Sequence, residues 1–375
     1  MLRKIIYYLM WLHTQPSHAQ VVTPTYICTL ANIPESSGLL IDAQHRIWTL
    51  EDSGNPEKIT MIDSLGNIQN TLKITNGTNV DWEDMTRDET HTFIGDFGNN
   101  KSDRKDLVIY KIPNVDLQLG SKAKAELIHF QYEDQSDFNP PLGKWTYDCE
   151  AMTVTNDSIY IFTKDYTIPL KGESRVYRLP KIAGNFKALR VATIKTDNAA
   201  YGLGQITAAT VSPDQKRAIL LANNALYLYS NINLPHFWEA SRQQLNFSAN
   251  LQREAVIFAD NCKVLISNES ANGEPAQLYE LNLCQLTNVS KIIKLPSVNI
   301  QKTETGLSIN YDLEKSDIPL QVIDIQGHNI FKTKLHTTTG TLQIDNSEFP
   351  NAGIYIVIVA DEKAKWRIVQ KVIFQ

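Results

Sequence analysis

A pair of polar residues, two positions apart, leads into a short apolar strand at five places between residues 34 and 258 of this 375-residue chain. The pairs are Glu35 and Ser37, Asp81 and Glu83, Asp148 and Glu150, Gln205 and Thr207, and Gln252 and Glu254. Residues i and i+2 of a strand point to the same side, so each pair should offer two polar groups to one place. The repetition predicts that ten polar side chains, six of them acidic, converge.

The spacing of the pairs is that of a propeller blade. They recur roughly every fifty residues, and segments of strand character follow each pair in meander order. We therefore predict an all-β fold with a five-bladed β-propeller, and keep six blades as the alternative. Residues 26–33 are expected to close the ring by adding to the last blade. Outer strands are predicted at residues 68–74, 126–132, 189–194 and 289–295.

The composition and net charge of the chain bear on what kind of molecule it can bind. Hydrophobic residues make up 42% of the chain, enough for the cores of two domains, and the formal net charge is -5. No basic stripe is present that would neutralise a phosphate backbone. We therefore expect no nucleic-acid partner.

The first nineteen residues have the pattern of a secretory signal peptide. A basic start at Arg3 and Lys4 precedes an apolar run over residues 5–12, and small residues end at Ala19, where cleavage is predicted. A retained membrane anchor is the alternative, but spanning a bilayer takes about 20 apolar residues. We therefore predict signal peptide 1–19, a propeller domain over 20–295 and no retained transmembrane segment.

From about residue 296 the paired motif stops and shorter strands alternate with turns. Strands are predicted at residues 306–311, 320–325, 329–335, 341–344, 353–360 and 367–374. Some 80 residues of short antiparallel strands are typical of a small β-sandwich. We predict an Ig-like C-terminal domain over residues 296–375.

This tail resembles the type A C-terminal sorting domain of the type IX secretion system of Bacteroidetes. The resemblance lies in the apolar strand 320–325 ending near Gly327, the passage 349–355 (FPNAGIY), and the final strand 367–375 with Lys371. It implies passage through the periplasm, contact with the type IX machinery, release to the cell surface or medium, and cleavage of the tail. An ordinary Ig-like binding module is the alternative.

The body, residues 24–295, resembles a secreted bacterial β-propeller family that has no settled activity. The matching segments are residues 35–39, 51–54, 81–85, 95–100, 148–152, 163–164, 206–214, 253–255 and 267–269. More distantly it resembles esterase-like, phytase-like and SdiA-regulated-type propellers, whose central or rim acids hold calcium. This distant link is an analogy of fold and charge.

Polar residues also follow the second strand of each repeat, at Asp52, Asp96, Lys164, Asn223 with Asn224, and Glu269. In a meander the start of strand one and the end of strand two share a sheet edge, so both sets should lie on one propeller face. Crowded carboxylates repel and need a cation, shared protons or counter-charges.

Hard oxygen ligands suit Ca²⁺ best and Mg²⁺ second. The candidate metal ligands are Glu83, Glu150, Glu254, Asp52 and Asp96. Further candidates for the ligand-binding face are Glu35, Asp81, Asp148, Lys164, Thr207, Arg253 and Glu269. Two alternatives stay open: Lys164 and Arg253 serve as internal counter-charges, or the pairs merely cap strand ends.

The four cysteines fit an oxidising compartment without forming a disulfide framework. Cys262 and Cys284 fall within one repeat and could bridge, while Cys28 and Cys149 stand alone; buried free thiols are the alternative for all four. The spacing fits no zinc site.

Motifs for catalysis are absent from the sequence: there is no GxSxG and no HExxH segment. The leading hypothesis is a secreted propeller that binds a small ligand or glycan on an acidic, calcium-loaded axial face. One alternative is a calcium-dependent phosphoesterase or lactonase that uses the same face. The other is a surface scaffold for protein partners.

Overall fold

The computed structural model describes residues 20–155, 157–196, 203–286, 297–313, 315–361 and 366–374. The predicted signal peptide lies outside these residues. The chain forms two compact units, Ala19–Ser290 and one that includes Lys291–Gln375. Both are built almost wholly of β-strands. Among the described residues, no helix has the length and apolar character needed to cross a membrane.

The described residues of the first unit form twenty-two strands, one short helix, α1 (Asp116–Leu119), one helical turn at Leu283–Leu286, and a 3-10 turn at Phe237–Glu239. The strands are β1 (Gln20–Val22), β2 (Thr25–Thr29), β3 (Ser36–Ile41), β4 (Ile47–Glu51), β5 (Lys58–Ile62), β6 (Ile68–Ile74), β7 (Trp82–Arg87), β8 (His91–Asp96), β9 (Val108–Pro113), β10 (Lys122–Ala123), β11 (Glu126–Tyr132), β12 (Lys144–Val154), β13 (Ser158–Thr167), β14 (Glu173–Pro180), β15 (Gly184–Lys195), β16 (Ile206–Val211), β17 (Arg217–Ala222), β18 (Ala225–Ser230), β19 (Ser241–Phe247), β20 (Arg253–Phe258), β21 (Lys263–Asn268) and β22 (Gln277–Asn282).

These strands repeat one antiparallel meander. The innermost strands are β3, β7, β12, β16 and β20, and each contacts the next, with β20 contacting β3. The innermost strands therefore form a closed ring around one axis. Each meander continues outward through a second and a third strand, and outer strands β11 and β15 pair in parallel to join two meanders.

The ring is completed by the N-terminal segment. Strand β2 pairs antiparallel with β22, so that Thr25 faces Glu280, and it supplies the outer strand of the last meander. The predicted closure by residues 26–33 is therefore realised by β2. Pairing covers the edge of β22, which would otherwise be open to association with another chain.

Burial explains why the inner and outer strands differ in sequence. Strand β17 is buried at five of its six positions because neighbouring meanders cover both of its faces. Outer strand β19 is exposed at its first three positions and alternates only near its end. The apolar runs that predicted the inner strands are thus required by two-sided packing.

The outer strands were predicted less completely. Strands β6 and β11 have the predicted bounds, while the segment 189–194 is the end of the longer strand β15. Strand β19 was not predicted, because its polar sequence SRQQLNF lacks an apolar run. The predicted strand at 289–295 lies outside the described residues.

In the second unit, the part of the chain that the structure describes forms seven strands and a 3-10 turn at Asn346–Glu348. The strands are β23 (Ser297–Lys302), β24 (Gly306–Asp312), β25 (Ile318–Asp324), β26 (Asn329–Leu335), β27 (Thr339–Asp345), β28 (Gly353–Asp361) and β29 (Trp366–Phe374). One sheet has the order β23-β24-β27 and the other β26-β25-β28-β29. Residues of both sheets share one apolar core, so the unit has two layers.

An aromatic cluster ties the end of the chain into that core. The Phe349 ring stacks on Phe374 with ring centroids 4.0 Å apart, and Tyr355 packs edge-on against both. The FPNAGIY passage and the final strand, which carried the sequence resemblance, therefore meet at one place.

The cysteines are partly paired. Cys262 and Cys284 form a disulfide, and Cys28 and Cys149 are buried free thiols. The sequence left a disulfide and buried free thiols open, and the structure has the disulfide for Cys262 and Cys284 and free thiols for Cys28 and Cys149.

Candidate functional site

A β-bulge interrupts the first strand pair of every meander at the same place. Residues 36 and 38 of β3, for example, face consecutive residues 51 and 50 of β4, which leaves Ser37 without a partner. The extra residues are the second members of the five polar pairs: Ser37, Glu83, Glu150, Thr207 and Glu254. A bulge bends the strand and redirects the extra side chain, so the regular i, i+2 geometry assumed from the sequence does not hold here.

Two acids at the bulges, Glu83 and Glu150, lie close to Asp148. We call these three residues the acid trio. All three are buried, and one carboxylate oxygen from each lies within 4.8 Å of the others. Ser37 Oγ donates to Glu83 Oε2 at 3.5 Å, and the backbone N–H of Asn99 donates to Asp148 Oδ1 at 2.5 Å. The acid trio could hold a metal ion.

One buried cation faces the acid trio. Lys164 Nζ lies 3.1 Å from Glu150 Oε2 and 4.0 Å from Glu254 Oε2. Lys164 is the strand partner of Asp148, which places strand-one and strand-two residues on one face as predicted. Among the described residues, the Lys164 ammonium group is therefore close to four buried carboxylates, those of Glu83, Asp148, Glu150 and Glu254.

The pKa shifts follow from this crowding. Burial raises the pKa of Glu83 and of Glu150 well above the ordinary glutamate value, and neighbouring carboxylates raise both further. Burial also raises the pKa of Asp148, where Lys164 opposes the shift. Desolvation would lower the pKa of Lys164, but Glu150 and Glu254 raise it well above its usual range.

A glycine makes room for the acids. A Cβ atom on Gly98 would lie 2.2 Å from Glu83 Oε1 and 2.4 Å from Asp81 Oδ2, closer than any real contact. Any side chain at this position would displace the carboxylates.

A second acidic patch lies toward the last meander. Burial raises the pKa of Glu269 to about 9, and Glu254 and Asp52 contribute. Burial, followed by Glu35, raises the pKa of Asp52 to about 7. Asn223 Nδ2 donates to Glu254 Oε1 at 3.0 Å, and Gln252 donates to Glu269. Glu254 and Glu269 both line a cavity of about 230 Å³.

Several of the remaining candidate residues have other partners in the structure and lie outside the acid trio. Asp96 pairs with Arg104 at 2.9 Å and accepts the backbone N–H of Asp81 at 3.0 Å, so local groups already neutralise it. Glu35 accepts from Asn55 Nδ2 at 2.6 Å. Among the described residues, Asp52, Asp96 and Glu254 do not join the acid trio as a group of close ligand atoms.

Asp81 lies beside the acid trio, whereas Thr207 and Arg253 are bound to backbone. Burial, followed by Asp148, raises the pKa of Asp81 to about 6. Thr207 Oγ1 donates to the carbonyl of Arg253 at 2.9 Å. Arg253 donates to the carbonyls of Asn223 and Ala249 and covers the Phe247 ring at 4.0 Å. Arg253 therefore stabilises the loops and is no counter-charge for the acid trio.

Asp84 is a buried acid that the sequence reasoning did not single out. Its carboxylate accepts the backbone N–H groups of Met85 at 2.8 Å and Met152 at 2.7 Å. These bonds tie β7 to β12 directly behind the bulge. A third acid in the segment DWEDM, on the opposite side from Glu83, was the signal that could have found it.

The C-terminal unit can be compared with a known family. Residues 299–375 match the family model described as a secretion system C-terminal sorting domain. The tail is a sorting domain of the type IX system. It directs export to the cell surface or the extracellular space, as the sequence resemblance implied. Comparison with curated proteins finds no match.

Solved structures that are similar to this chain are distant in sequence. A PQQ-bound aldose sugar dehydrogenase from Streptomyces coelicolor is 10% identical with a TM-score of 0.42, over 71% of this chain and 99% of that one. PorZ, a surface component of the type IX secretion system of Porphyromonas gingivalis, is 13% identical with a TM-score of 0.30, over 90% of this chain and 44% of PorZ. A Dyadobacter fermentans protein of unknown function is 11% identical with a TM-score of 0.37, over 65% and 75%. Identities this low carry no activity over to this chain.

Proposed function

We propose that this protein is a cell-surface or secreted five-bladed propeller, residues 20–295, carried outward by an Ig-like sorting domain, residues 296–375. Its axial face binds a divalent cation, and beside that cation a small polar ligand or glycan. The proposal is one of binding rather than catalysis. The observation that supports it most is the acid trio, with oxygens from three buried acids within 4.8 Å of one another.

Charge balance supports a cation at the acid trio. Glu83, Asp148, Glu150 and Glu254 are buried, and among the described residues Lys164 forms ion pairs with Glu150 and Glu254. Crowded buried carboxylates with so little positive charge must either keep protons or bind a cation. Burial raises the pKa of each of these four acids, and Lys164 opposes the shift in all four.

We propose Ca²⁺ rather than Mg²⁺ as the bound cation. Oxygens bind Ca²⁺ at about 2.3–2.6 Å, so two oxygens on opposite sides of the ion are about 5 Å apart, compatible with the acid trio. Three carboxylates offer six oxygens, and Ca²⁺ accepts six to eight in flexible geometry, whereas Mg²⁺ requires a tighter octahedron. Glu83, Asp148 and Glu150 are the proposed ligands, and Asp81 lies in the surrounding shell.

The test is calorimetric titration of Ca²⁺ into the full chain, with thermal unfolding in parallel. Glu83→Gln and Glu150→Gln should remove binding, because each loses a charged ligand. Glu126→Gln is the matched control, since Glu126 is exposed and pairs with Lys111 on outer strands. Saturation at 100 times Kd should stabilise the fold by about 2.7 kcal/mol. Absence of both heat and thermal shift in the parent protein would disprove the proposed cation site.

A further inference from the structure

The cavity beside the acid trio is a second site on the same face. Its lining includes Lys164, Tyr166, Asn223, Asn224, Glu254 and Glu269. Its volume of about 230 Å³ equals the liquid volume of about seven or eight water molecules. This is below the roughly 300 Å³ at which pockets for drug-sized ligands begin. The cavity therefore suits a small molecule.

Hydrogen-bond acceptors in this cavity lack donors. Glu254 Oε2 and Asn224 Oδ1 are buried atoms without a hydrogen-bond partner, and the Glu254 residue as a whole is only 4% exposed. A buried acceptor without a partner costs roughly 1–3 kcal/mol, and more when it is charged. The site is thus incomplete without a group that donates to Glu254.

Three side-chain donors near Glu254 Oε2 already interact with other groups. Asn223 Nδ2 is held by Glu254 Oε1 and the carbonyl of Arg253 at 3.0 and 3.1 Å. Gln252 donates to Glu269. Lys164 is held by Glu150 at 3.1 Å and stays 4.0 Å from Glu254 Oε2, beyond hydrogen-bonding distance. A ligand bound in the cavity would supply a donor to Glu254 Oε2.

The acidic residues that line the cavity indicate which kind of hydrogen-bond donor fits there. Among the described residues that line the cavity, Glu254, Glu269 and Glu274 are acidic and Lys164 is the one basic residue. Asp52 and Glu35 add negative potential at Glu269. Among the described residues, Glu254 and Glu269 belong to no close group of three metal-ligating side chains. A compact metal ion is therefore a poorer match here than a larger cation with several N–H donors.

We propose that this cavity binds a small organic ammonium compound with hydroxyl groups, of the amino-polyol or amino-sugar class, whose ammonium donates to Glu254 Oε2 and Glu269. The proposal rests on the proposed function of this face as a ligand-binding surface, and names the ligand class. Hydroxyl groups of the same molecule would donate to Asn224 Oδ1.

Binding of such a cation should release protons. Near neutral pH the Glu269 carboxyl is protonated in the ligand-free protein, because its pKa is raised to about 9. A bound ammonium group favours the carboxylate and lowers that pKa. A neutral polyol would leave the proton in place, so proton release distinguishes the two ligand classes.

The experiment titrates glucamine (1-amino-1-deoxy-D-glucitol) and sorbitol into the full chain at neutral pH, in two buffers of different ionisation enthalpy. The two probes differ only by an ammonium in place of a hydroxyl. Glucamine should bind about tenfold or more tightly than sorbitol, because charge-assisted hydrogen bonds are roughly twice as strong as neutral ones. It should release up to one proton per molecule bound.

Glu269→Gln should abolish proton release and weaken glucamine binding, whereas Glu280→Gln should change neither, since Glu280 pairs with Lys263 on neighbouring strands outside the cavity. Equal binding of both probes, or no binding of glucamine by the parent protein, overturns the inference. Ca²⁺ titrated into the same samples tests the cation site separately. Glu83→Gln should lose Ca²⁺ but keep glucamine, so failure of either proposal leaves a distinct result.

Discussion

Replacing Glu269 with Gln should flatten the pH dependence of the free energy of unfolding. Burial, with help from Glu254 and Asp52, raises the pKa of Glu269 from 4.5 to about 9. Between these two values the folded protein keeps a proton that the unfolded chain has released. A raised folded-state pKa gives stability that is complete below the unfolded value and is lost as pH rises toward the folded value. The parent protein should therefore lose stability from acid to alkaline pH.

The magnitude follows from the linkage relation. A single group that is protonated only in the folded state contributes a slope of at most about 1.4 kcal/mol per pH unit. Lys164 opposes the shift and neighbouring acids share it, so we expect about 1 kcal/mol per pH unit from Glu269. Over about two pH units around neutrality, Glu269→Gln should gain about 2 kcal/mol relative to the parent. In acid, where Glu269 is protonated in both states, that gain should vanish.

The measurement is urea unfolding in EDTA at several pH values, followed by tryptophan fluorescence. EDTA keeps divalent cations from adding a pH dependence of their own. Glu280→Gln controls for the loss of a half-buried charge, because Glu280 pairs with Lys263 outside the acidic patch. Parallel curves for parent and Glu269→Gln across this range would refute the reasoning, since they would mean that Glu269 is ionised in the folded state.

Three further predictions concern single positions. Gly98→Ala should abolish Ca²⁺ binding in calorimetry, because the new methyl group would lie 2.2 Å from Glu83 Oε1. Asp84→Ala should lower the urea-derived stability by about 3 kcal/mol or more, since it leaves two buried N–H groups without an acceptor. Reduction of the Cys262–Cys284 disulfide, which closes a span of 22 residues, should cost about 3 kcal/mol in the same assay.

Each of these has a matched control. Gly120→Ala places its methyl group no closer than 3.7 Å to other atoms, so Ca²⁺ binding should be unchanged. Asp106→Ala removes an exposed partner of Arg104 and should leave stability within about 0.5 kcal/mol of the parent. Cys28→Ser under reducing and oxidising conditions separates the disulfide from the free thiols. Ca²⁺ binding by Gly98→Ala, or unchanged stability of Asp84→Ala, would contradict the described geometry.

The repeating pattern was sufficient to predict the inner strands and the face on which they present polar groups. Two-sided burial forces an apolar run such as RAILLA in β17, and that signal survives in a single sequence. Meander topology predicts that the start of strand one and the end of strand two share a sheet edge, and Asp148 and Lys164 are strand partners there. Outer strand β19 lacks both signals, because water covers one side of it and its residues need no strict alternation.

The details of the site depended on features that spacing does not encode. The five bulges change which side chain points at the axis, and a bulge depends on the register of two strands. Asp96 looked like a metal ligand, yet Arg104, eight positions later, pairs with it. The role of Gly98 is visible only in the structure, where the carboxylates of Glu83 and Asp81 lie against it.

The position of Lys164 divides the axial face into two sites of different character. On one side, Glu150 takes the lysine at 3.1 Å, and the acid trio keeps close-packed oxygens that suit a compact hard cation. On the other side, Glu254 Oε2 stays 4.0 Å from the same lysine and lacks a hydrogen-bond partner, and Glu254 lines the cavity. Because Lys164 lies closer to Glu150 than to Glu254, the proposed metal site and the proposed ammonium site are adjacent yet separable. Single substitutions on either side of Lys164 should therefore affect the two sites independently.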